Sequence, residues 1–132
     1  MITKEIIKIA SDTKNIGLTN KYNFRSSLKN PMCGDKIKLE LIVKNFKINK
    51  MKYETESCVY FEASASLLAK KIKNLNVNSA INDINKIKEI IYNNKINLPT
   101  NFKDFKVLIN KKNINRIDCI NLPFNAVLKA LR

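Results

Sequence analysis

Lys36-Ile37-Lys38-Leu39-Glu40-Leu41-Ile42-Val43 is the passage whose reading decides the fold. Ile37, Leu39, Leu41 and Val43 alternate with Lys36, Lys38 and Glu40, the period-two pattern of a strand with one buried and one solvated face. Lys44-Asn45 then reads as a two-residue connection, and Phe46 and Ile48 resume the alternation. The phase slips before Met51 and Tyr53, the mark of a β-bulge. The expectation is an antiparallel hairpin over residues 36–43 and 46–53. Its strands run out and back, so the segment before it, residues 30–35, and the segment after it, Ser57-Cys58, should arrive at one end.

Outward from the hairpin, the signals are helical. Ile2, Ile6 and Ile9 predict a short amphipathic helix at residues 1–10, and a strand is expected near Tyr22-Asn23-Phe24. After Cys58, Leu67, Leu68 and Ile72 mark one helix face. Ser79 is read as the N-cap of a helix carrying Ile81, Ile84, Ile87, Ile90 and Ile91, with Asp83 in its first turn. Leu98-Pro99-Thr100 breaks the chain, and Phe102, Phe105, Leu108 and Ile109 mark a short helix. Residues 110–115 read as a polar loop leading to Cys119, and Pro123 as the first turn of a last helix. The fold class expected is α+β, a small antiparallel three-stranded sheet with four to five helices packed mainly on one face, in a single domain over residues 1–132.

At 132 residues and 15.2 kDa the chain is the size of one domain. It has no apolar run of the roughly eighteen residues needed to cross a bilayer, and no secretory h-region. Three cysteines without a signal peptide point to a reducing cytoplasm. The formal charge of +14 invites a nucleic-acid reading. Against it, the lysines are scattered and there are only three arginines, the residue on which base and bidentate phosphate recognition lean. Lys, Asn and Ile together make up 61 of 132 positions, a bias that AT-rich coding imposes on any protein. No nucleic-acid or membrane partner is expected.

The chain has no histidine, which excludes imidazole chemistry and Ser/Cys-His catalysis. The three cysteines sit in distinct settings. Cys33 lies in Asn30-Pro31-Met32-Cys33-Gly34-Asp35, a turn in which Gly34 supplies backbone freedom and Pro31 stiffness. Cys58 precedes Ala63-Ser64-Ala65-Ser66-Leu67-Leu68, at a helix N-terminus that favours a thiolate. Cys119 follows Arg116 by three residues, close enough for the guanidinium to act on the thiol. Spacing alone leaves open whether these are buried small hydrophobes or ligands. Three thiolates with Asp35 would make the four ligands of a tetrahedral zinc site or an iron–sulfur cluster.

Asn30-Pro31-Met32-Cys33-Gly34-Asp35-Lys36-Ile37-Lys38-Leu39, then Cys58 with Ala63-Ser64-Ala65-Ser66, then Arg116-Ile117-Asp118-Cys119 with Leu122-Pro123, resemble the NifU N-terminal domain / IscU / SufU family of iron–sulfur cluster assembly proteins. The resemblance covers residues 20–132 in order. Within it the chain looks closer to SufU. Asp118 stands where IscU proteins carry histidine, residues 110–115 replace the chaperone-binding motif, and Cys58 and Cys119 are 61 positions apart (119 − 58). Ser57 replaces the glycine usual before the second cysteine.

The resemblance implies Cys33, Asp35, Cys58 and Cys119 as ligands and two functions that fit them. One is a scaffold that builds a [2Fe–2S]-type cluster and hands it on, with Arg116 and the Gly34–Asp35 amides offsetting its charge. The other is a zinc-bearing sulfurtransferase whose Cys119, on a flexible lead-in loop, accepts persulfide sulfur from a PLP-dependent cysteine desulfurase, with Arg116 activating the thiol and docking the donor. The implied partners are that desulfurase and downstream carriers or apo-acceptors, and the chain is expected to be a monomer. A basic RNA-binding module with incidental cysteines is the alternative from another class; its RNA affinity would survive removal of all three thiols.

Overall fold

A computed structural model describes residues 2–93 and 97–132 of the chain. The elements are α1 (Lys4–Ala10), β1 (Phe24–Lys29), β2 (Lys36–Lys44), β3 (Lys47–Glu56), α2 (Val59–Lys71), α3 (Val77–Asn93), two 3₁₀ segments (Thr100–Val107 and Lys111–Arg116) and α4 (Ile117–Ala130). The strands form one antiparallel sheet in the order β1-β2-β3. Phe24, Ser26 and Leu28 of β1 stand opposite Leu41, Leu39 and Ile37 of β2. Ile37, Leu39, Leu41, Ile48, Met51 and Tyr53 are buried beneath the helices, while Arg25, Lys36, Lys38 and Lys50 on the other face are exposed. This is the α+β architecture that the alternating pattern predicts.

The expected bulge is present. Ile42 pairs with Lys50 and Val43 with Ile48, leaving Asn49 as the extra residue. That insertion lets both Ile48 and Met51 face the core. It also moves the turn by one residue from the Lys44-Asn45 expected: the connection is Asn45-Phe46, with φ of 52° and 64°, and Lys44 still pairs with Lys47. Phe46 therefore stands outside the alternation and is exposed.

α2 is buried on every side. Ala63, Ser64, Ala65, Ser66, Leu67, Leu68 and Ala69 are all in the interior, where small side chains let neighbouring helices approach closely. The aromatic rings of Phe102, Phe105 and Phe124 close the core beside it, with Phe105 and Phe124 centroids 4.9 Å apart.

Three boundaries differ from the sequence reading. The cap of α3 is Asn76, whose side chain accepts from the Asn78 N–H at 2.9 Å; Ser79 lies inside the helix, and Asp83 is outside the first turn. The presumed loop at 110–115 is a 3₁₀ segment capped by Asn110, which accepts from the Lys112 N–H at 3.0 Å, and anchored by buried Asn113, which donates to the Leu108 carbonyl at 3.0 Å. The last helix begins at Ile117, six residues before Pro123, so Pro123 sits within α4. Burial of Ile120, Phe124 and Val127 on one stripe outweighs the proline's missing N–H.

Glu40 lies on the sheet face read as solvated, yet it is only 4% exposed. Its carboxylate accepts from the Thr19 and Asn20 N–H groups, both at 2.8 Å, and from the Thr19 hydroxyl at 3.2 Å. The carboxylate thereby clamps the segment linking α1 to the sheet. Glu40→Ala should cost about 2–3 kcal/mol in urea denaturation, because charge-assisted bonds are lost and amide donors are left unpaired. A loss below about 0.5 kcal/mol would show that the segment is held elsewhere.

Candidate metal centre

The six-residue connection between β1 and β2 carries the first two site residues. Lys29 pairs with Lys36, and the chain between them folds into a tight turn. The Gly34 N–H donates to the Asn30 carbonyl at 2.8 Å, the Asn30 N–H to the Asp35 carbonyl at 2.7 Å, and the Met32 N–H to Asn30 Oδ1 at 2.9 Å. Gly34 takes φ of 78°, a conformation that a side chain would strain. The Gly34 amide is thus engaged inside the turn rather than free to offset charge at the site. The turn holds Cys33 exposed at the surface and Asp35 half-buried.

β3 ends at Glu56, opposite Lys36, and delivers Cys58 to the same end of the sheet. Cys58 is the N-cap of α2, but its thiol makes no capping bond, so it remains available to a neighbour. Cys119 occupies the first turn of α4, buried and helical rather than on a flexible loop. The Ser64 hydroxyl of α2 donates to the Ile120 carbonyl at 2.6 Å inside the core, fixing α4 against α2 one residue past Cys119. The sequence reading gives Ser64 no separate role; its signal is a hydroxyl among the small and apolar residues Ala63 to Leu68.

The ligand atoms of Cys33, Asp35 and Cys119 all lie within 4.8 Å of one another. Two sulfurs on one tetrahedral zinc are about 3.8 Å apart, given Zn–S bonds of about 2.3 Å, so the cluster needs only a small contraction to close on an ion. Cys58 lies outside that trio; its thiol sits beside Cys119 closely enough to help raise the pKa of the Cys119 thiol. Three soft thiolates and one hard carboxylate fit a zinc ion or an iron–sulfur cluster.

Electrostatics correct one expectation. Burial, then the Cys58 thiol alongside, then Asp35 and Cys33, push the Cys119 thiol up from 9.0 to about 12. Arg116 does not lower it. Its guanidinium lies over the Tyr60 ring, 5.7 Å from the centroid, where the cation is held by the aromatic face. In the metal-free protein Cys119 stays protonated in the fold after it would ionise in the unfolded chain. Its contribution to stability is therefore full below pH 9 and lost as the pH rises from there to about 12. Urea midpoints of the metal-free protein should fall over that window, and Cys119→Ala should flatten the fall.

The profile of the NifU-like N-terminal domain matches residues 1–128. The chain belongs to that family. An uncharacterized protein of Borreliella burgdorferi is 27% identical over 129 residues, covering 97% of this chain and 87% of its own length. Among solved structures, the N-terminal part of a nitrogen-fixing NifU-like protein from Brucella abortus superposes with a TM-score of 0.89 at 18% identity, over 98% of this chain and 91% of the other. An iron–sulfur cluster assembly scaffold protein for the SUF system from Fervidobacterium islandicum AW-1 superposes with a TM-score of 0.80 at 19% identity, over 99% and 96%. At those identities the likeness is one of fold, and it matches the three-stranded sheet and helical layer described above. Among the described residues no helix is long and apolar enough to cross a membrane.

Proposed function

We propose that this NifU-like domain is an iron–sulfur cluster assembly scaffold whose cargo is held by Cys33, Asp35, Cys58 and Cys119. The observation that carries the reading is the convergence of Cys33, Asp35 and Cys119 within 4.8 Å, from a turn and a helix far apart in sequence. Asp35 is the weak, hard ligand in a soft set, which favours release of a cluster over permanent retention. The test is anaerobic reconstitution with ferrous iron and sulfide, followed by transfer to an apo-ferredoxin. The expected result is a visible sulfide-to-iron spectrum that moves to the acceptor. Tightly held stoichiometric zinc that iron and sulfide do not displace, with no transfer, would overturn it.

That second outcome is the zinc-bearing sulfur-acceptor reading. Its support is the gradient of exposure across the site, from exposed Cys33 through Cys58 to buried Cys119. With Cys119 recessed in α4, we place the acceptor role on Cys33 instead. The Cys33 thiolate attacks the outer sulfur of a desulfurase persulfide, the S–S bond breaks, and the donor cysteine leaves as a thiolate. Arg116, exposed over Tyr60, remains a docking contact for such a partner.

A further inference from the structure

The β2–β3 connection breaks a local rule. A two-residue hairpin turn with both φ values positive calls for Asn-Gly or its equivalents. The Asn45 position fits, but the second position holds Phe46 at φ 64°, where a bulky side chain is an outlier. The phenyl is 80% exposed, so contacts within the chain do not offset the strain. Beside it runs a groove of about 760 Å³, lined by Phe24, Val43, Asn45, Phe46, Val77 and Leu131. The Val77 N–H donates to the Phe46 carbonyl at 2.8 Å and holds the turn over this groove.

Charge at this end is of one sign. Lys44 and Lys47 flank the turn and Arg132 follows Leu131, whereas Lys52 and Lys129 reach away, to the Lys14 and Ser27 carbonyls. The lysines are spread over the whole chain; what marks this end is that residues 20–24, 41–48, 73–80 and 128–132, which supply the groove, its turn and its flanks, include no Asp or Glu. Around the cysteines, Asp35, Glu56, Glu62 and Asp118 interrupt the positive charge.

We propose that this groove docks an acidic segment of a partner protein, with an apolar side chain of that segment seated against Phe46. Lys44, Lys47 and Arg132 beside the groove, on a chain of net charge +14, select against a second copy of the chain and for an anionic partner. Phe24, Val43, Val77 and Leu131 give the groove an apolar floor that takes a side chain. The site lies at the far end of the nine-residue strand β2 from Cys33, on the order of 30 Å away. It therefore stands independently of the metal reading.

The test is an NMR titration of isotopically labelled protein with a synthetic dodecapeptide of Asp and Glu around a central Leu-Phe pair. A second peptide of equal charge has Gly-Ser in place of that pair. The expected result is saturable shifts at residues 45–47, 76–78 and 131, at least tenfold weaker binding of the Gly-Ser peptide, and at least tenfold weaker binding by Phe46→Gly. Phe46→Gly suits the turn and should melt no lower than the parent, so lost binding would not be lost folding. The double change Lys44→Glu with Lys47→Glu should also weaken the peptide tenfold. Equal binding of the two peptides, shifts mapping elsewhere, or undiminished binding by Phe46→Gly would overturn the proposal. So would Phe46-dependent binding of oligothymidylate or phosphatidylglycerol vesicles in preference to the Leu-Phe peptide, which would make the partner a nucleic acid or a membrane.

Discussion

Cys119→Ser is expected to lower zinc affinity by at least about 100-fold in chelator competition and to prevent a reconstituted cluster from being retained. The size of the effect follows from position. Cys119 lies within 4.8 Å of Cys33 and Asp35, and its thiol also contacts Cys58. It is the residue the other three share. A serine hydroxyl fills nearly the same volume in α4, so the fold should survive while the ligand is lost. Cys33→Ser, on the exposed turn, should weaken the site less because the buried partners remain in place. Parental affinity in Cys119→Ser would refute the four-ligand centre, and a larger loss in Cys33→Ser would reverse the order of importance.

Phe124→Ala should cost about 3–5 kcal/mol, read as a shift in the urea midpoint with little change in slope. Phe124 is fully buried, 4.9 Å from the Phe105 ring and 6.3 Å from that of Phe102. It joins the second half of the chain to α4 just after Cys119. The cavity left behind could close only if α4 moved, and that movement would displace Cys119 from Cys33. Metal binding should therefore weaken together with stability. A loss below about 1.5 kcal/mol would mean that the three rings repack around the gap.

The hairpin, its bulge and the shared end at which Cys33 and Cys58 arrive were all legible, because period-two alternation is local and strong between Ile37 and Tyr53. The alternation alone puts the turn one residue early, since the bulge at Asn49 hides which pair of residues crosses over. Asn76 is hard to single out as the cap because Ser79 offers the same chemistry three residues later. Pro123 by its usual preference signals a helix start, whereas tertiary burial carries α4 through it. Glu40 read as solvated because alternation reports which face a residue occupies and is blind to a loop folding over that face. The cysteine settings were legible one by one. Their convergence came from the family likeness, as no local pattern links residue 33 to residue 119. The direction of the Cys119 thiol's shift is illegible for a similar reason: Arg116 is near in sequence, but burial is a property of the packed core.

The ligands proposed above come from three separate elements, and residues 33 and 119 stand 86 positions apart (119 − 33). A bond through a metal between them, on the reading proposed above, closes most of the chain into a loop. By chain-entropy reasoning, a permanent cross-link of that span removes about 4–5 kcal/mol of freedom from the unfolded ensemble. Loading would then be written into the lifetime of the whole molecule. A filled domain would resist proteases that an emptied one admits, and the turnover of the protein would report whether its cargo had been delivered.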